Sequence, residues 1–163
     1  MLITANYIKF NNYKPISLDG IYQGEKTVLD NLVYNIKMIV ESEAPITLNM
    51  LKCRLREAFG VKKISQKALD IITDKIDELR LIATENLYDI VLWPQTGVFK
   101  INELRVNSNF QIYDIPYQEL SLLVHHLGLS GEELYRAILG YYGYEVLTEK
   151  AKKYLEFVER QCR

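Results

Sequence analysis

Residues 25–79 carry three apolar stripes at helical spacing, separated by Pro45-Ile46-Thr47 and by the run Gly60 to Ser65, and two short β-prone runs follow directly. Nothing else in the chain restricts its fold as much. Leu29, Leu32, Val33, Ile36 and Val40 predict a helix over about Glu25 to Glu43, which Pro45 ends. Thr47 is placed to cap a second helix with Leu48, Leu51, Leu55 and Ala58 on one face, and Gly60 stops it. Ser65 caps a third, with Leu69, Ile72, Ile76 and Leu79 as its stripe. Leu81 to Thr84 and Tyr88 to Trp93 read as strands joined by a polar turn at Glu85-Asn86.

Three helices followed by a hairpin is the order of a winged helix. Ala44-Pro45-Ile46 sits where that fold places its short first strand. The predicted organisation is an extended arm over 1–24 with one short strand, a winged-helix unit over 25–94, an irregular connector over 95–114 and a trihelical unit over 115–163. In the last unit Pro116 opens a helix bearing Leu120, Leu123, Val124 and Leu127. Ser130 caps the next, with Leu134, Ala137, Ile138 and Tyr141, and Thr148 caps the last, with Ala151, Tyr154, Leu155 and Val158. The expected fold class is mainly α, a winged helix and a second helix-turn-helix-like unit.

The two halves also align without a gap at a shift of 83 positions. Thr47 falls on Ser130, Leu51 on Leu134, Leu55 on Ile138, Phe59-Gly60 on Tyr142-Gly143, Ser65 on Thr148, Lys67 on Lys150, Ala68 on Ala151 and Ile72 on Leu155. Caps, stop glycine and core positions keep register, which reads as one trihelical unit used twice.

Composition sets the class of partner. Hydrophobic residues are 48% and charged residues 25% of the chain, an ordinary globular balance, and a net charge of −1 provides no global pull towards nucleic acid or anionic membrane. Met1 to Phe10 does not read as a secretory leader, and no apolar run approaches the roughly 18 residues of a spanning helix. The expectation is a cytoplasmic protein without membrane contact. Cys53 reads as helix packing and Cys162 as part of a fraying tail. Among twelve tyrosines, Tyr135, Tyr141, Tyr142 and Tyr144 cluster; core and rim packing accounts for them first, interface or base-stacking roles second.

Catalytic and cofactor motifs fail on inspection. Gly20 to Thr27 looks like a phosphate loop, but it has three residues between its glycines, and Glu25 precedes Lys26. His125 and His126 are adjacent and point about 100° apart on a helix, which disfavours chelation. With two distant cysteines a structural zinc site lacks ligands. No serine stands in a nucleophile elbow. The expectation is a non-enzyme without metal or cofactor.

Nucleic acid remains, and local charge decides its mode. From Lys62 to Trp93 five basic residues face six acidic ones. Asp70, Asp74, Asp77 and Glu78 on the third helix would be repelled in the major groove, and the hairpin tip carries no Lys or Arg. Backbone tracking is the weaker mode that survives. Its candidates are Lys52, Arg54 and Arg56 on the second helix, Lys62, Lys63, Gln66 and Lys67 around the start of the third, and Lys150, Lys152 and Lys153 in the second unit.

Glu43-Ala44-Pro45-Ile46, Leu51, Arg54, Leu55, Phe59-Gly60 and Lys63 resemble a bacterial domain of unknown function that lies at the C-terminus of large superfamily I DNA-helicase-like proteins. Ile115-Pro116 with Glu119-Leu120, Ser130 with Glu133-Leu134, and Tyr142-Gly143-Tyr144 extend the resemblance from roughly Leu29 to the C-terminus. It implies a helicase-linked context and carries no catalytic residues over. Two functions follow as expectations. One is an accessory module that contacts DNA backbone; the other is a protein-docking module that binds a helicase body or a second copy of itself.

Overall fold

The computed structural model describes residues 1–163. The elements in chain order are β1 (Thr4–Asn6), α1 (Leu18–Tyr22), α2 (Lys26–Glu43), β2 (Ile46–Thr47), α3 (Leu48–Phe59), α4 (Gln66–Glu78), β3 (Ile82–Glu85), β4 (Ile90–Trp93), β5 (Leu104–Val106), a single 3-10 turn (Ile112–Asp114), α5 (Tyr117–Leu127), α6 (Gly131–Tyr141) and α7 (Glu149–Gln161). Seven helices dominate, six where the stripes predict them and α1 in addition, but the strands exceed a single hairpin and form two small sheets. Mainly α is therefore too narrow a description. One sheet has the order β2-β4-β3, with β2 antiparallel to β4 so that Ile46 faces Leu92; the other pairs β1 with β5 in parallel, Thr4 opposite Leu104.

The chain divides into two compact units. An N-terminal unit comprises Lys9–Thr84 and Val91–Val98; a C-terminal unit comprises Met1–Ile8, Glu85–Ile90 and Phe99–Arg163. In the N-terminal unit the stripe residues Leu32, Ile36 and Val40 of α2, Leu51 and Leu55 of α3, and Ile72 and Ile76 of α4 are buried; Leu29, Val33, Leu48, Ala58, Leu69 and Leu79 are half-buried, and Ala68, outside the expected stripe, is buried. Val91, Leu92 and Trp93 of β4 are also buried, and the Trp93 indole N–H donates to Thr84 Oγ1 at 2.9 Å, satisfying the one polar atom of that ring. The C-terminal core is built from Leu120 and Leu123 of α5, Leu134 and Ile138 of α6, and Tyr154, Leu155 and Val158 of α7.

The first 24 residues are not a plain arm. Lys14 exchanges backbone hydrogen bonds with the Asn35 amide at 2.8 and 2.9 Å, and Asn31 Nδ2 donates to the Pro15 carbonyl. Ser17 then caps α1, accepting from Gly20 N. A Cβ on Gly20 would lie 2.7 Å from Val28 Cγ2, so glycine stands there for close packing rather than for a phosphate. The stretch read as an irregular connector contains β5 and the 3-10 turn.

The 83-residue echo extends to hydrogen bonds. Ser65 Oγ accepts from Ala68 N, and Thr148 Oγ1 from Ala151 N. At the end of α3, Gly60 N donates to Glu57 O and Val61 N to Arg56 O; at the end of α6, Gly143 N donates to Gly140 O and Tyr144 N to Leu139 O. α1 packs on α4, and the 3-10 turn packs on α7, so each set of three helices is preceded by a short helical piece seated on its third helix. One cap departs from the pattern. Ser130 makes no side-chain bond, and the Gly131 amide donates instead to the Glu159 carboxylate at 3.0 Å. Glu159 also accepts from the Tyr135 hydroxyl at 2.7 Å. These two donors hold its carboxyl below the ordinary glutamate range.

Candidate nucleic-acid interface

Arg54 must leave the set of contact residues. It is 5% exposed, and Glu43 opposite it is 0% exposed. Arg54 Nε lies 3.0 and 2.9 Å from the two Glu43 carboxylate oxygens and Nη2 lies 2.9 Å from one of them. Glu43 Oε2 also accepts from Phe10 N at 3.1 Å. This is a buried, multiply bonded pair between the end of α2 and the middle of α3, and it is closed to a phosphate.

The other candidates on α3 are half-buried. Lys52 is partly exposed, and Arg56 Nη2 donates to Cys53 Sγ at 2.7 Å. At the start of α4 the arrangement is more open. Lys62, Lys63, Gln66 and Lys67 are all exposed. Gln66 Nε2 is turned to Asp70 Oδ1 at 2.9 Å. The Lys67 ammonium stands 5.1 Å from the centroid of the Tyr22 ring, whose hydroxyl is hydrogen-bonded to Ser65 Oγ. Further along α4, Asp70, Asp74, Asp77 and Glu78 are exposed. Apart from Lys75, which is paired with Glu78 at 3.1 Å, the positive charge of α4 stands at its start.

The second patch repeats this arrangement. Lys150, in the first turn of α7, places its ammonium 3.9 Å from the Tyr113 ring centroid and 5.2 Å from that of Tyr88. The Tyr88 hydroxyl donates to the Lys150 carbonyl at 3.0 Å. Lys153 is exposed and Lys152 half-buried. Lys67 and Lys150 are partners in the 83-residue echo, and both stand over tyrosine rings. Sequence reasoning found both lysines and missed Tyr22, Tyr88 and Tyr113, because each ring comes from a segment remote in sequence from its lysine.

His125 and His126 are both exposed. No three His, Cys, Asp or Glu side chains meet in metal-binding geometry. Cys162 is half-buried at the end of α7 rather than in a loose tail, and its thiol is pushed up by burial and by Glu159. No helix is long and apolar enough to cross a membrane. No family model, no curated protein and no solved structure matches the chain.

Proposed function

We propose that this chain is a non-catalytic module that contacts nucleic-acid backbone weakly and without sequence specificity, as an accessory to a helicase-like DNA-processing protein. The observation that carries the reading is the recurrence of one cationic arrangement. Lys67 and Lys150 each sit in the first turn of a hydroxyl-capped helix, exposed, over tyrosine rings. A ring against the ammonium restricts the lysine rotamers, so less freedom is lost when a phosphate is bound. The positive end of the helix dipole adds to the attraction. Lys62 and Lys63 enlarge the first patch, and Lys152 and Lys153 the second. The helicase context rests on the family resemblance and is analogy, not site chemistry.

The fold reading that accompanies it is a winged helix over 25–94 and a trihelical unit over 115–163. β2 between α2 and α3, together with the strand order β2-β4-β3, supports it. Groove reading by that motif is not proposed. The exposed acids of α4 oppose it, and Tyr88 at the hairpin tip is already hydrogen-bonded to Lys150.

Fluorescence anisotropy with labelled single- and double-stranded DNA tests the proposal. Micromolar binding is expected, falling steeply between about 50 and 200 mM salt. The triple variant Lys62→Glu, Lys63→Glu, Lys67→Glu is expected to bind at least about tenfold more weakly and to flatten the log-log salt slope by roughly 2 to 3. Unchanged affinity would remove the first patch. Absence of wild-type binding at low salt would leave protein docking or self-association, for which exposed apolar side chains such as Val98 and Val146 are suited.

A further inference from the structure

The C-terminal unit contains a cavity of about 290 Å³ lined by Val106 to Gln111 and by Tyr141, Tyr142 and Tyr144. Its volume is near the lower end of the roughly 300–1,000 Å³ range of small-molecule sites, which suits one ring system. None of its lining residues is charged. The lining combines aromatic faces with the amides of Asn107, Asn109 and Gln111, a combination that suits a flat neutral ligand with hydrogen-bonding edges. Asn107 and Asn109 have φ of 62° and 60°, the left-handed region that non-glycine residues seldom occupy. Backbone held there at two places in three residues is a feature that clusters at binding sites. Asn107 Nδ2 is committed to Asn6 Oδ1 at 2.8 Å, whereas Asn109 and Gln111 have no such bond within the protein. The Tyr142 hydroxyl is buried without a hydrogen-bond partner.

The cavity is also next to the second lysine patch. Gln111, which lines it, is two residues from Tyr113, and Tyr113 is the ring beneath Lys150. A cation, then a half-buried tyrosine, then an uncharged amide-lined cavity is the order a single strand needs: phosphate on the lysine, base beyond it.

We infer that this cavity receives an unpaired nucleobase of a single strand whose backbone lies on the Lys150 patch. The tyrosines stack on the base face, and the Asn109 and Gln111 amides, each both donor and acceptor, meet its edge. Because an amide can turn over and every base has a stacking face, the site selects single strands over duplex with little preference among bases. The inference rests on the backbone-contact reading above.

Anisotropy with three labelled probes separates the two: an oligothymidylate, the same strand made wholly of abasic sites, and a duplex. The base-bearing single strand is expected to bind roughly 10- to 100-fold more tightly than the abasic strand. Asn109→Gly, which keeps the left-handed backbone and removes the amide, combined with Gln111→Ala, is expected to reduce that preference at least about threefold and to leave abasic affinity unchanged. Equal wild-type affinity for the base-bearing and abasic strands would overturn the base site and leave the backbone reading standing. A preference untouched by the double variant would overturn its location. Failure of the wild-type chain to bind any of the three would overturn both.

Discussion

Replacing Arg54 by methionine keeps most of the side-chain volume and removes the charge that faces Glu43. The Glu43 carboxylate is then left fully buried, with the Phe10 amide still donating to it. Breaking one side of such a pair costs about 3 to 5 kcal/mol, because the remaining charge keeps its desolvation penalty without its counterion. Against a total stability of about 5 to 15 kcal/mol this is a large fraction. With a urea m-value of about 2 kcal/mol per molar, the unfolding midpoint of Arg54→Met is expected to fall by about 2 M. Adding Glu43→Gln removes the orphaned charge and keeps an acceptor for Phe10 N, so the double variant is expected to recover at least half of that loss. Equilibrium urea unfolding followed by circular dichroism at neutral pH gives both midpoints. A single-variant shift below about 0.5 M, or a double variant as damaged as the single, would refute the argument that this pair is structural.

Two further outcomes follow from packing and capping. Gly20→Ala places a Cβ 2.7 Å from Val28 Cγ2 and 2.8 Å from Ser17 Oγ; the overpacking is expected to lower Tm by about 3 to 10 °C in a thermal melt, and an unchanged Tm would show that α1 shifts freely. Glu159 carries a lowered pKa, so its contribution is complete above the ordinary glutamate value of about 4.3 and is lost as pH falls through the folded-state value. Glu159→Gln is expected to cost about 1 kcal/mol at neutral pH, where a charged acceptor for Gly131 and Tyr135 becomes a neutral one, and to cost less in melts below pH of about 4. A deficit that stays constant on acidification would show that the carboxylate charge is not what caps α6.

What the sequence reveals and what it conceals follow one line, the separation between interacting residues. α2 to α7 announce themselves because stripe, cap and stop lie within one helix length; Thr47, Ser65 and Thr148 all accept the amide bonds their positions predict. α1 has five residues, too few for a period, and depends on Ser17 and on the fit of Gly20. β1 and β5 are three residues each and are paired across 100 positions, so their pairing has no local signature. Ser130 is placed like a cap and is displaced by Glu159, which lies 28 residues beyond the Gly131 amide it accepts from. Arg54 did leave a trace. It falls between Leu51, Leu55 and Ala58 within the apolar stripe of α3, where a solvated arginine has no place, and a buried partner such as Glu43 is what that position requires. The cavity residues Asn107, Asn109 and Gln111 lie in a stretch without period, and only folding brings them beside Tyr141 to Tyr144.

The path of the chain through its two units has a consequence for how this protein can be divided. The polypeptide passes from one unit to the other after Ile8, Thr84, Ile90 and Val98. Shortening from the N-terminus beyond Ile8 therefore strips pieces from both bodies, whereas shortening from the C-terminus as far as Phe99 strips only the C-terminal one. A fragment stopping at Pro94 would retain the segment Glu85–Ile90 but lose α7, whose Lys150 carbonyl receives the Tyr88 hydroxyl. A single gene break after Val98 leaves every segment of the N-terminal unit on one piece, but no single break releases the C-terminal unit whole. For the C-terminal unit the heritable piece is the entire stretch, even though the helices read as two copies of one design.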